Sequence, residues 1–104
     1  MDNTIELLKS VRVQDENGIY QTSYISRVIF CRVGSITRSE FFQAGRNGLN
    51  PQFVFTVFAG DYSGEEIVRY AGETYSIYRT YRTDSDYIEL YAEKKGGTYG
   101  ININ

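Results

Sequence analysis

Along most of the chain, hydrophobic and polar residues alternate with period two, the mark of strands buried on one face. The longest instance is "IYQTSYISRVIFCRV", residues 19–33. It sets Tyr24, Ser26, Val28, Phe30 and Arg32 on one face and Ile25, Arg27, Ile29, Cys31 and Val33 on the other. The alternation is imperfect, as in a strand that curves and packs differently along its length. "PQFVFTVFAG" sets Phe53, Phe55 and Val57 opposite Val54, Thr56 and Phe58. Being apolar on both faces, it is expected to be covered on both, by the core and by a second element. "DYSGEE", residues 61–66, is a turn, and "IVRYAGETYSIYRTYR" reads as a strand, a tight turn around Ala71-Gly72-Glu73 and a second strand. After the "TDSD" turn, "YIELYAEKK" is the last strand, with Ile88 and Leu90 facing opposite to Tyr87, Glu89 and Tyr91. At the start, "TIELLKSVRV", residues 4–13, mixes helix formers with β-branched residues. Its β-branched finish and the "DENG" turn that follows favour strand.

One stretch breaks the pattern: "GSITRSEFFQAGRNGLNP", residues 34–51. Thr37-Arg38-Ser39-Glu40 fits a capping box, in which Thr37 accepts from the Glu40 backbone N–H and the Glu40 carboxylate reaches back to the Thr37 N–H. Ile36 and Phe41 stand where a hydrophobic staple would place them. Gly45 or Gly48 can end the helix at positive φ, and Asn50-Pro51 forces an extended exit. The spacing predicts a short helix over about 38–45. The expected fold is mainly β: a small antiparallel β-barrel of about six strands, with that helix inserted between strands. Residues 1–95 are expected to form a single domain and 96–104 a flexible tail. That tail, "GGTYGININ", leaves through two glycines and resumes a weak alternation of Tyr99, Ile101 and Ile103.

Composition agrees. At 104 residues, 41% hydrophobic and 15% aromatic with ten Tyr and six Phe, the chain suits one pleated, half-buried core. A net charge of −2 predicts no strong nonspecific attraction to nucleic acid or anionic membrane. No apolar run reaches the roughly 20 residues of a membrane-spanning helix, and the charged N-terminus does not read as a secretory signal. Cys31 is alone, so no intrachain disulfide forms, which suits a reducing compartment.

Candidate chemistry is sparse. With no His, the commonest general base and transition-metal ligand is missing, and neither an enzyme, a metal site nor a cofactor is expected. Cys31, in an apolar strand, reads as a buried small hydrophobe rather than a nucleophile. Asp84-Ser85-Asp86 with Glu89 lacks the ligand count of a calcium loop and reads as a turn. Glu65-Glu66 and Glu89 are imaginable as paired carboxylates, but nothing in the sequence brings them across a cleft. The glycines at 45, 48, 96 and 97 make no phosphate loop. The strongest constellation is Tyr75, Tyr78, Arg79, Tyr81 and Arg82. It fits either a platform for single-stranded nucleic acid or cross-strand pairs that stabilise a sheet, and net acidity favours the second.

The order of elements resembles one known family. "VIFCRVGSITRSEFFQAGRNGLNPQFVFTVFAGDYSGEE", a strand, a helical "RSEFFQAG" and P-x-F-x-F-x-V, is followed by "VRYAGETYSIYRTYRTDSDYIELYAEKKGG". Over residues 24–97 this is similar to the phage head–tail joining family, the small β-barrel head-closure (stopper) proteins of long-tailed phages and prophages. The resemblance implies a ring of copies, twelvefold, under the portal or its helical adaptor. Such a ring closes the DNA channel after packaging and offers the surface on which a tail-completion or tail protein docks. It implies no catalysis, no membrane and no sequence-specific grip on the packaged double-stranded DNA. The location implied is the virion neck, with synthesis in the bacterial host cytoplasm. A tail-completion ring protein would share the barrel and the symmetry; the helical insertion favours head closure.

On that resemblance, the segment from Thr37 to Pro51 is expected at the barrel edge, contributing to ring contacts or the channel gate. The residues concerned are Thr37, Arg38, Glu40, Phe42, Arg46, Asn47, Gly48 and Leu49. Phe41 and Phe42 are adjacent and cannot share one helix direction, so one is expected against the barrel and the other outward. Phe42 is the outward one if Phe41 is the staple partner; the alternative is that both pack in an ordinary core. Tyr99, Ile101 and Ile103 are expected to order against a neighbour or a tail protein, the alternative being an ordinary frayed terminus.

Overall fold

The computed structural model describes residues 3–94. Six strands, β1 (Asn3–Gln14), β2 (Tyr20–Ser35), β3 (Pro51–Phe58), β4 (Ile67–Tyr70), β5 (Glu73–Arg82) and β6 (Tyr87–Glu93), close into an antiparallel barrel in the order β1-β2-β3-β6-β5-β4. One helix, α1 (Arg38–Arg46), lies between β2 and β3, and a turn of 3-10 helix follows β3 at Ala59–Asp61. The mainly β architecture with a single inserted helix is the one the alternation predicted.

Alternation fills the barrel. Ile5 and Leu7 of β1, Ile29 and Cys31 of β2, Phe55 and Val57 of β3, Val68 of β4, Tyr75 of β5 and Leu90 and Ala92 of β6 form one buried cluster. Phe53, Phe55, Tyr70 and Tyr75 meet edge-on or tilted with ring centres 5.4 to 6.5 Å apart. Such pairs add about 0.5–1.5 kcal/mol each beyond their buried area. The cover expected on both faces of β3 is partial, however, with Val54 and Thr56 half-buried and Phe58 exposed on the other face. Cys31 is fully buried in this cluster, and burial pushes its thiol up to about 11.

The ladders are unequal in length. β1 and β2 pair from Asn3↔Cys31 to Gln14↔Tyr20, but β1 meets β4 only over Glu6–Leu8, and β2 meets β3 only over Arg32–Ser35. Lys9–Gln14 and Tyr20–Ile25 therefore project past the barrel as a two-stranded ribbon, and the molecule measures 50 × 32 × 22 Å. Its tip is tied by Asp15, whose Oδ1 accepts from the N–H groups of Asn17 and Ile19 at 2.9 Å. At the hairpin from β4 to β5, Ala71 (φ 51°) and Gly72 (φ 82°) both take positive φ. That is a two-residue turn whose hand matches the twist of its strands.

Candidate assembly surfaces

The inserted helix starts and stops on local chemistry. Thr37 is the N-cap, its Oγ1 accepting from the Glu40 N–H at 3.1 Å. At the other end the Gly48 N–H donates to Gly45 O and the Leu49 N–H to Ala44 O, with Gly48 at φ 80°. This paired closure uses glycine where a left-handed residue is needed, so Gly48 ends the helix while Gly45 stays inside it. The helix runs to Arg46, one residue past the expected end.

The other half of the expected capping box is replaced. Instead of turning back to Thr37, the Glu40 carboxylate crosses to the barrel. Oε2 accepts from the Tyr78 hydroxyl at 2.6 Å and from Arg79 Nε at 3.1 Å, and Oε1 accepts from Arg79 Nη2 at 2.6 Å. A bidentate guanidinium and a phenol bind a carboxylate more strongly than one amide does. Arg79 also lies over the Tyr91 ring, 3.7 Å from its centre, a cation–π contact. The hydrogen bond from Arg79, helped by Tyr78, holds the Glu40 carboxyl below the usual range against the opposing effect of burial. Burial and the nearby carboxylate push the Tyr78 phenol up. Between helix and β5 remains a cleft of about 290 Å³ lined by Ala44, Leu49 and Tyr78 among others. Glu40 thus fastens α1 to the outer wall of its own barrel.

α1 shows two large apolar side chains to solvent among polar ones. Phe41 is 48% exposed and Phe42 60%, their rings edge to face at 6.1 Å. Phe42 points outward as expected. Phe41 does not pack into the barrel: Ala44 is the buried residue of the helix, and the adjacent phenylalanines pair with each other at the surface. Arg38, Arg46, Asn47 and Gly48 are exposed and Leu49 is half-buried. Tyr99, Ile101 and Ile103 lie outside the described residues.

A second apolar surface was not foreseen. β2 carries Tyr24, Val28 and Phe30 on its outward face, exposed by 54, 70 and 62%. Near the ribbon tip Val13, Ile19 and Tyr20, and at its base Ile25, are also more than half exposed. The signal was present in the sequence, as apolar residues on the face of 19–33 opposite the core. Its meaning depended on whether another element covers that face, and these residues stay exposed. Leu8 is a related case. It is buried, yet on the outward side, in a groove of about 480 Å³ with Ile67, Ile77 and Tyr24 where the ribbon leaves the barrel.

The remaining charged candidates are spent on structure. Glu65, 3% exposed, meets Arg27 Nη2 at 2.6 Å, and the same nitrogen donates to Asp61 O. Burial pushes the Glu65 carboxyl up, but the Arg27 hydrogen bond, with the Ser63 N–H, outweighs it and leaves the carboxyl below its ordinary value. This pair ties the segment before β4 beneath the ribbon. Glu89 accepts from the Tyr91 hydroxyl instead of facing Glu65. Asp84 Oδ1 accepts from the Asp86 and Tyr87 N–H groups, an Asx turn of the kind "TDSD" suggested. Among the described residues no three His, Cys, Asp or Glu side chains are grouped to hold a metal. In the Tyr/Arg constellation Tyr75 is core, Arg79 is held by Glu40, and Arg82 donates to Asp84 O and Ser85 O. Only Tyr81 of those aromatics is largely exposed. Compared with known proteins, the chain matches no family model and no curated protein.

Proposed function

We propose that this chain is a structural protein of a phage or prophage head–tail joint, of the head-closure type. Copies assemble as a ring under the portal or its adaptor, close the channel after packaging and receive the tail. The observation that carries the reading is the distribution of exposed apolar residues. A closed barrel carries exposed large apolar side chains on two of its elements, Phe41 and Phe42 on α1 and Tyr24, Val28 and Phe30 on β2. Large apolar side chains clustered at a surface mark sites of protein association. Two such surfaces on one small domain suit a subunit with a neighbour on each side or a neighbour and a docking partner. The helix between the second and third strands agrees with the element order on which the family resemblance rests.

The test is mass spectrometry of particles purified from an induced lysate of the source organism. Copurification with filled heads and mature virions, in a copy number comparable to the portal's, supports the proposal. Absence from every particle overturns it, and oligonucleotide binding by the Tyr81 face becomes the next experiment.

A further inference from the structure

We propose that residues 98–104 of one copy add a strand to the open edge of β2 in a second copy. This deepens the ring reading, resting on it only for the number of copies. Three observations carry it. First, β2 pairs with β3 only over Arg32–Ser35, so on its β3 side the edge from Tyr20 to Cys31 has no ladder partner among the described residues. An open edge of this length is a template for strand addition. Second, the outward face along that edge carries large apolar side chains, with Tyr24, Val28 and Phe30 all more than half exposed beside Thr22 and Ser26. Third, in "TYGININ" the apolar residues Tyr99, Ile101 and Ile103 fall on one face of an extended strand. Laid along β2 with that face outward, they continue the apolar strip beside Tyr24, Val28 and Phe30, and the backbones supply the hydrogen bonds.

Reach decides between the chain's own tail and a neighbour's. Lys94 is hydrogen-bonded to Asn50, next to Pro51, while Ser35 is level with Phe53. The tail therefore starts about two residues beyond the end of β2, on the far side of the segment already filled by β3. At about 3.3 Å per residue, roughly six residues would be used in travelling back to Cys31. Tyr99 would then lie where β3 already sits, and within 98–104 only the last few residues would reach the open edge. A second copy has no such constraint and can place the whole of 98–104 against Tyr20–Cys31.

The experiment uses the full chain throughout. Sedimentation of the wild-type protein is compared with Y99D/I101D/I103D and with V28K/F30K, whose changes lie on the tail and at exposed barrel positions. The account expects concentration-dependent association of the wild type and at least a tenfold weakening in each variant. A synthetic peptide of residues 95–104 is then titrated into 15N-labelled Y99D/I101D/I103D. Amide shifts should concentrate on residues 20–31, and V28K/F30K added to the same chain should weaken peptide binding at least tenfold. No binding, shifts confined to the groove at Leu8, Ile67 and Ile77, or association unchanged in both variants overturns the inference. The particle experiment is independent of these outcomes. Presence at the neck without tail pairing sinks this inference alone, and tail pairing in a protein absent from every particle sinks the neck reading alone.

Discussion

Glu40 and Cys31 show how the same barrel treats two reactive side chains in opposite ways. Glu40 is ionised against Arg79 and Tyr78, and its carboxyl is held below the ordinary value in the folded protein. A depressed carboxyl contributes stability above its unfolded value, near 4.3, and loses it as pH falls through the folded one. Glu40→Gln should therefore cost about 1 kcal/mol near neutral pH, a modest figure because Arg79 is part-exposed. The gap between wild type and variant should close on going from about pH 5 to pH 3. Glu65 titrates in both proteins and cancels in the difference. Urea unfolding at several pH values checks this, and a gap that stays constant to pH 3 would contradict it. Cys31, by contrast, is neutral, with burial pushing its thiol up to about 11. Thiolate is the reacting form, so a thiol reagent at pH 8 should label Cys31 only as fast as the barrel opens. Labelling at the rate of a free thiol would place Cys31 outside the core.

At the scale of elements, local sequence was a good guide wherever a local interaction decides the outcome. The Thr37 cap, a glycine stop at 45 or 48, the turn around Ala71-Gly72 and the period-two alternation of 19–33 and 53–58 were legible, because periodicity and turn chemistry act within a few residues. The fate of Glu40 was not. Its capping role is a local option that lost to Tyr78 and Arg79, 38 and 39 residues away. Turn chemistry also yields a prediction. Ala71 sits at φ 51°, a left-handed conformation that costs an L-residue with a Cβ about 1 kcal/mol and that Asn tolerates better. Ala71→Asn should stabilise the protein by roughly 0.5–1 kcal/mol, seen as a higher melting temperature. An unchanged or lower midpoint would mean that the turn is not strained in solution.

For the whole molecule, barrel closure was the expected architecture, but the surface it leaves was hidden from the sequence. Alternation tells which residues share a face; it does not tell how long each ladder runs. β1 and β2 outlast their partners, which leaves the outer edges of the ribbon and the β3-side edge of β2 without a ladder partner among the described residues, beside Tyr24, Val28 and Phe30 exposed on the outward face. An isolated two-stranded ribbon is marginal in water; here it is braced by the barrel below and by Arg27 and Glu65 beneath. The helix is the second display. Phe42→Lys should change the stability of the monomer by less than about 0.5 kcal/mol, because Phe42 is 60% exposed. The same substitution should reduce incorporation into particles or rings severalfold, read by sedimentation and particle composition. A large loss of thermal stability would show instead that Phe42 packs inside the domain.

The central claim is the place of this protein at a head–tail joint, and antibody-labelled electron microscopy of particles from an induced lysate tests it most directly. The account predicts label at the neck, on filled heads and on mature virions alike. Label spread over the capsid, confined to the far end of the tail, or missing from all particles would contradict it.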